Sequence, residues 1–307
     1  MSFVSSYPGE LAALLTAVFW TVTALAFESA SRKVGSLSVN LIRLFAAFIF
    51  LSLYAWATRG IAFPTDAGLH QWIWLSLSGL VGFVLGDLFL FQSYVVMNAR
   101  VSMLIMSLAP PLAAAIGWFT MGEVLSAKQG LGMFLIFIGI ALVILKRDIP
   151  QENGNGSGRR LKLNYPIGGL LLAFGGALGQ AGGLVLSKYG MQTYNVVASV
   201  QIRVITGIAG FAFIFLILNK WNMLFAAFKN GKAMSRLSIG AFFGPFLGVS
   251  FSLLAVRYTT TGVASALMSV VPVLIIAPSV LIFKEKVNFK EMVGAAIAVL
   301  GVITFFL

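Results

Sequence analysis

The sequence lacks the residues on which most metal and thiol chemistry depends. It contains no cysteine and a single histidine, His70, in 307 residues. A disulfide framework, a thiol nucleophile and a zinc site built from cysteine or clustered histidine are therefore excluded. No glycine-rich phosphate loop of the Walker type occurs either, which argues against a pump driven by ATP. We expect neither a metal nor a cofactor.

Charge is also scarce. Charged residues make up 10% of the chain and hydrophobic residues 59%, with a mean hydropathy of +0.97. Soluble domains carry about 25% charged residues, and one core cannot hide so much apolar side chain. The 27 phenylalanines argue equally against disorder. These proportions predict an all-α integral membrane protein whose main solvent is the lipid bilayer.

Long apolar runs fill most of the chain. A membrane-spanning helix needs about 20 mostly apolar residues. Ten runs meet this need: 9–29, 37–57, 71–94, 99–119, 128–146, 166–188, 196–218, 236–255, 261–282 and 288–306. The long polar stretch at 147–164 is rich in Gly, Asn and charge, which is typical of a flexible linker. We therefore predict three parts: five helices in 1–146, the linker 147–164, and five helices in 165–307.

The two halves of the chain resemble each other. Polar, Gly and Pro positions match at an offset of 162 residues in the later part of each half and of 160 in the earlier part; examples are Gly82 with Gly244, Pro110 with Pro272, Glu123 with Glu285, and Arg43 with Arg203. Because each half has five predicted helices, an odd number, the second half enters the membrane in the opposite sense. Ten transmembrane helices would then form two inverted five-helix repeats, a common plan of secondary transporters.

Several of these matched stretches also resemble a known family. Residues 99–112, with the Gly-Glu turn that follows them, resemble the fourth helix of the ten-helix EamA-type permeases in the drug/metabolite transporter superfamily, and 261–272 resembles its second copy. Residues 40–47 are similar to the Arg-containing second helix. Trp20 stands where the family has a Trp-Gly pair, but Thr21 replaces the glycine here. The resemblance implies a ten-helix bundle that moves small organic metabolites, and it names no substrate.

Asp87 is the acid that lies deepest in a predicted span. Charged groups within a span are costly and are usually functional. Asp87 is therefore a candidate to bind a substrate ammonium group or to take up a coupling proton. The alternative is a structural role as a cap or helix-pairing partner beside Gly86. Its repeat counterpart is Val249, so the duplicated fold itself does not require an acid at this position.

Arg43 and Arg203 occupy matching positions inside the second and seventh spans. Their presence in both copies favours a structural role, in which each side chain reaches its own interface or bonds a helix C-terminus. A clamp for a substrate carboxylate is the second alternative.

Four further residues are candidates to line a substrate cavity. Gln180 and Trp20 are repeat counterparts on the two leading helices; Gln can hydrogen-bond a substrate and Trp can stack on one. Thr23 joins them on the first helix, although its hydroxyl is equally suited to bond its own backbone. Tyr94 lies two turns beyond Asp87 and either extends a polar path or anchors at the interface.

Prolines within the fourth and ninth spans are candidate hinges. Pro110, Pro111 and Pro272 each remove a backbone donor, so the helix bends there. Matched bends in the two halves suit alternating access, and a fixed kink is the alternative.

Together these features predict a secondary transporter that exports small amphiphilic metabolites such as amino acids, with proton coupling as an option. A flippase for lipids or lipid-linked sugars and an intramembrane enzyme are the alternatives. The net charge of +12 is better explained by basic loops beside anionic lipid than by nucleic acid. We expect a small-molecule substrate, no nucleic acid, and a location in a bacterial inner membrane; a monomer is compatible with this plan.

The orientation has two opposing indications. Fifteen Lys and Arg residues lie on the loops of one face and four on the face that carries both termini. The positive-inside rule then places the termini outside, whereas the family resemblance implies termini in the cytoplasm.

Overall fold

The computed structural model describes residues 7–97, 99–144, 166–278 and 289–304, and within these ranges all regular elements are helices. They are α1 (Pro8–Val34), α2 (Ser36–Arg59), α3 (Leu69–Val96), α4 in two segments (Ala99–Met106 and Ala109–Met121), α5 (Ala127–Ile144), α6 (Ile167–Met191), α7 (Val196–Leu218), α8 (Trp221–Phe228), α9 (Gly231–Tyr258), α10 (Thr261–Pro278) and α11 (Phe289–Ile303). The predicted linker 147–164 lies outside the described residues.

Seven of these helices are long and apolar enough to cross a membrane: α1, α2, α3, α6, α7, α9 and α10. Each predicted span coincides with a helix, but α4 is interrupted, and the apolar stretches found in α5 and α11 are shorter. The described residues therefore establish an all-helical membrane fold with seven helices of spanning length, and the full set of ten spans stays a prediction.

The helices are joined by tight connections. Gly35, at φ 81°, ends α1 and begins α2 at once, and Gly122, at φ 65°, ends α4; side chains with a Cβ rarely adopt this backbone conformation. The side chain of Asn195 accepts a hydrogen bond from Ala198 N and caps α7. Such short links place consecutive helices antiparallel and side by side.

The packing of the helices follows the duplication. The second helices of the two halves, α2 and α7, pack on each other, as do the broken helices α4 and α10 and the last helices α5 and α11. If the short helix α8 is set aside, the first helix of each half packs on the third helix of the other: α1 packs on α9 and α6 packs on α3. Every one of these contacts therefore crosses between the halves, which interleave around a pseudo-two-fold relation.

The third helix of each half contains a wider turn that the sequence did not predict. Leu80–Gly86 in α3 and Phe242–Gly248 in α9 are π-helical, and the two segments are related by the same offset as the repeat. Turns of this kind are rare and often occur at functional sites. Beside the first segment, a Cβ on Gly179 would lie 2.5 Å from Gly86 Cα, so α3 and α6 meet backbone against backbone.

The sequence suggested that Pro110, Pro111 and Pro272 bend continuous helices from within. The structure instead places each of them just after a break in α4 or α10. α4 is interrupted at residues 107–108 and α10 at 269–270, and the prolines fall in the first turn of the segment that follows each break. Proline is well tolerated there because the first backbone N–H groups of a helix have no intrahelical partner. The breaks are thus matched in the two halves, and Pro110, Pro111 and Pro272 start the second segments.

One polar cluster at the end of α2 ties the halves together. Arg59 Nη2 lies 2.5 Å from Asp66 Oδ2, and Tyr194 Oη donates to Asp66 Oδ1 at 2.8 Å. Slight burial of Asp66 disfavours its charge, but the bond from Tyr194 and the charge of Arg59 outweigh this and lower its pKa. Burial and the bond to Asp66 raise the pKa of Tyr194 to about 12, so the phenol remains a donor at neutral pH.

Candidate functional site

A cavity of about 100 Å³ lies between the two halves of the molecule. Because about 10–15 Å³ of such space holds one water, it has room for several waters or a small organic group. Its walls come from helices of both halves and are mainly apolar. The lining residues are Trp20, Thr23, Ala24, Phe27, Arg43, Phe83, Asp87, Leu90, Phe91, Tyr94, Met103, Met106, Ser107, Ala109, Gln180, Leu184, Arg203, Gly244, Pro245, Val249, Ser252, Ser265, Met268, Ser269, Val271 and Pro272.

Asp87 is the carboxylate of this cavity, and both of its oxygens are bonded. It follows directly on the π-helical turn of α3. Arg43 Nη2 lies 2.5 Å from Asp87 Oδ2, and Gln180 Nε2 donates to Asp87 Oδ1 at 2.7 Å. Asn40 completes the group: its Oδ1 accepts from Arg43 Nε at 3.1 Å, and its Nδ2 donates to Asp87 O at 3.3 Å. The cluster joins α2, α3 and α6, with Asp87 neutralised by Arg43.

Aromatic rings surround the Arg43 guanidinium. Its carbon lies 4.7 Å from the ring centre of Phe91 and 5.7 Å from the ring centres of Phe27 and Phe83. A cation over a ring face gains electrostatic energy, more so when water is excluded. Arg43 is 3% exposed, so the expectation that it reaches the interface was wrong.

Arg203 is equally buried, but among the described residues no carboxylate or amide is bonded to it as Asp87 and Asn40 are to Arg43. It is 3% exposed, lines the cavity, and its guanidinium carbon lies 4.5 Å from the ring centre of Phe83. Among the described residues it forms no ion pair, although the charge of Asp87, which is bonded to Arg43, acts on it through space. Its Nε donates to no acceptor among the described residues. The expectation that Arg203 reaches the interface or bonds a helix C-terminus was therefore also wrong, because the side chain is directed into the protein.

The remaining predicted residues meet at the same cavity. Thr23 Oγ1 donates to Phe19 O at 2.8 Å, so its hydroxyl bonds its own helix while its methyl group faces Gly244. Trp20 lines the cavity beside Gly248. Tyr94 is 1% exposed and stacks on Phe91, with ring centres 5.4 Å apart, which excludes an anchor at the interface.

The structure thus brings together Trp20, Thr23, Asp87, Tyr94 and Gln180. Their assignment to substrate binding remains a prediction. Of the three predicted hinge residues, Pro272 lines the cavity, while Pro110 and Pro111 start the second segment of α4 just outside it.

A second polar cluster ties the helices together at the end where the chain begins. Lys188 Nζ donates to Glu123 Oε1 at 2.6 Å and to Thr259 O at 2.7 Å. Glu123 Oε2 accepts from Thr261 N at 2.9 Å and from Thr261 Oγ1 at 2.5 Å. Lys188 therefore links α6 to the turn after α4 and to the start of α10.

Sequence reasoning missed Asn40 and Phe83 as parts of the site. Neither residue type points to a site by itself. However, Asn40 lies one helical turn before Arg43, and this spacing indicates that the two side chains share one face of α2. Within the residues that the structure describes, no group of three or more His, Asp or Glu side chains is placed to hold a metal ion.

Comparisons with known proteins agree with this architecture. The model of the EamA-like transporter family matches residues 7–145 and 167–307, one copy in each half. Twenty-eight chains of solved structures match; one of them, described only as a crystal structure of a protein, has 17% identity and a TM-score of 0.72 and covers 97% of this chain and 96% of its own. Identity this low supports the fold alone. No curated protein matches. The chain belongs to the EamA-like transporter family of the drug/metabolite transporter superfamily and is an integral membrane protein.

Proposed function

We propose that the chain is a secondary transporter that exports small amphiphilic metabolites, such as amino acids, across a bacterial inner membrane. The observation that carries the proposal is the cavity between the halves, where charged and hydroxyl groups are set into apolar walls. Such a lining suits a ligand with a polar head and an apolar side chain. In inverted-repeat transporters the substrate binds at this kind of repeat interface.

The proposal uses ten transmembrane helices arranged as two inverted five-helix repeats, with the halves at 1–146 and 165–307. Rocking of one repeat against the other would expose the cavity to each side in turn. The matched breaks in α4 and α10 supply places where the helices can bend, with Pro110, Pro111 and Pro272 as the hinge residues beside them.

Proton coupling through Asp87 is part of the proposal. A proton on Asp87 would remove the charge that holds Arg43, so the contact between α2 and α3 would weaken as the proton is taken up. Loading and release of the proton would then bias the two conformations. If Asp87→Asn transports as fast as the wild type and responds equally to a pH gradient, this role is excluded.

The alternatives have less support from the cavity. A lipid flippase would be favoured by basic residues along an opening to the bilayer, whereas Arg43 and Arg203 are each 3% exposed and line the interior. An intramembrane hydrolase of the aspartyl type needs a pair of acids, and among the described lining residues Asp87 is the carboxylate present, already paired with Arg43.

Transport by the purified protein in liposomes tests the proposal. Uptake of labelled amino acids would be measured with and without a pH gradient, beside scrambling of a fluorescent lipid. Ser265→Trp places a large side chain in the cavity and should abolish uptake. Leu131→Trp is the control: Leu131 is 55% exposed and lies outside the cavity lining, so uptake should be unchanged. Lipid scrambling without transport of any tested metabolite would contradict the proposal.

A further inference from the structure

The pseudo-two-fold relation between the halves makes the surroundings of the two arginines directly comparable. Arg43 in α2 and Arg203 in α7 are repeat counterparts, both are 3% exposed, and both guanidinium groups lie over Phe83, at 5.7 and 4.5 Å from its ring centre. α2 and α7 pack on each other. The two cations therefore reach one cavity from related positions.

The acceptors around them differ. Arg43 donates from Nε to Asn40 and from Nη2 to Asp87. The repeat counterpart of Asn40 is Val200 and that of Asp87 is Val249. Valine offers no acceptor, and Arg203 Nε has no hydrogen-bond partner among the described residues. The second half thus retains the arginine and lacks both groups that would satisfy it.

An unpaired guanidinium in an apolar cavity is costly. The free-energy cost of burying a charge without a bonded counter-ion is larger than the stabilisation from a single cation–π contact. Among the described lining residues the charges are Arg43, Asp87 and Arg203, so the cavity carries a net positive charge of one. A carboxylate group on a ligand would compensate the charge of Arg203.

The same comparison indicates where a positively charged ligand group would not bind. Both oxygens of Asp87 are occupied, by Arg43 at 2.5 Å and by Gln180 at 2.7 Å. An ammonium group at Asp87 would have to displace one of them and would add a second uncompensated cation. The ammonium-binding role predicted for Asp87 is therefore the weaker option.

We propose that Arg203 binds the carboxylate of the transported molecule. This carboxylate lies beside Arg203 in the same way that Asp87 lies beside Arg43. The inference rests on the proposed transport function and deepens it by naming the recognised group: a carboxylic acid or a zwitterion, not an amine. Arg suits this role because its planar fork bonds both oxygens of a carboxylate.

A variant that supplies the missing acid tests the site without knowledge of the substrate. Val249→Asp places a carboxylate at the position equivalent to Asp87, and Val249→Asn is its uncharged match. We expect the Asp variant of the purified full chain to melt several degrees above the Asn variant, and this order to reverse when Arg203→Gln is added. Equal melting temperatures of the two Val249 variants with Arg203 present would overturn the proposal.

A matched set of ligands tests recognition itself. Leucine, 4-methylpentanoate and 3-methylbutylamine share one apolar skeleton. Leucine carries both a carboxylate and an ammonium group, 4-methylpentanoate carries the carboxylate alone, and 3-methylbutylamine carries the ammonium group alone. We expect the first two to raise the melting temperature of the wild type at constant ionic strength, the amine to have no effect, and Arg203→Gln and Val249→Asp to abolish the response, with Arg203→Lys retaining part of it.

Several other outcomes of the ligand series contradict the proposal. Protection by the amine alone, protection that survives Arg203→Gln, or no protection by any of the three would overturn it. Protection by dihexanoyl-phosphatidylglycerol but by neither carboxylate would assign Arg203 to a lipid phosphate instead. Carboxylate protection without transport in liposomes would refute the transport function and leave the binding site standing.

Discussion

At the scale of single residues, the buried pair of Arg43 and Asp87 dominates the energetics of the cavity. Both side chains are 4% exposed, and their closest atoms are 2.5 Å apart. Two ions of opposite sign in such a place are acceptable because each satisfies the other and further hydrogen bonds satisfy the remaining atoms. Removing one partner leaves the other charged and buried, which is much worse than having neither.

This reasoning predicts the behaviour of a double-mutant cycle. Asp87→Asn alone and Arg43→Gln alone should each destabilise the protein by about 3–5 kcal/mol, because each leaves an uncompensated buried charge. The double variant should lose clearly less than the sum. Melting temperatures in detergent, read by tryptophan fluorescence, measure all four proteins. Additive losses would show that the two residues do not depend on each other.

Residues of this kind can be found in a sequence, but their partners cannot. Asp87, Arg43 and Gln180 were singled out because polar groups are rare in apolar runs. Their pairing was not predictable, since Asp87 lies 44 residues from Arg43 and 93 from Gln180, and periodicity along one helix says nothing about contacts between helices. The arginines were assigned to the interface for that reason.

At the scale of helices, the contact between α3 and α6 depends on glycine. α3 and α6 meet where Gly82 and Gly86 face Gly179 and Gly183. Small residues at such spacing let two backbones come together and gain dispersion energy along their length. The equivalent contact between α1 and α9 is wider, because the Thr23 side chain lies against Gly244 and the Trp20 side chain against Gly248.

Two alanine substitutions on α6 test this contact. Gly179→Ala should destabilise the protein by about 1–3 kcal/mol, because its Cβ would lie 2.5 Å from the Cα of Gly86 and backbone cannot move aside easily. Gly168→Ala, on the same helix with nothing within 4 Å, should be neutral or stabilise by up to about 1 kcal/mol. Thermal unfolding of both variants gives the comparison, and equal melting temperatures would mean that α3 and α6 are not tightly packed.

Helix positions were predicted well because a long apolar run has one main cause, the need to span lipid. α7 was predicted at 196–218 and observed at Val196–Leu218. The π-helical turns and the breaks in α4 and α10 were not predicted, since they depend on how neighbouring helices pack. Their only sequence signal was the matched Gly and Pro positions in the two repeats.

At the scale of the whole molecule, the packing of the helices follows the duplication, whereas the charged residues of the cavity differ between the two halves. The contacts between halves obey the pseudo-two-fold relation, whereas the charged groups do not. One half supplies Asn40, Arg43 and Asp87, and the other supplies Arg203, with valine at the positions equivalent to Asn40 and Asp87. Under the proposed function, a cavity shared by two related halves would open to each side in turn, and its unequal lining would select one kind of ligand.

Access to the cavity from both sides of the membrane is the most direct test of this account. The chain has no cysteine, so Ser265→Cys, which lines the cavity, would carry the single thiol of the protein. A membrane-impermeant thiol reagent would be applied to right-side-out spheroplasts and to inverted vesicles. Ala113→Cys, fully buried and outside the cavity lining, is the control and should react from neither side. The account predicts that Cys at position 265 reacts from both sides and that a transported substrate slows both reactions. Labelling from one side only, whatever substrate is present, would contradict it.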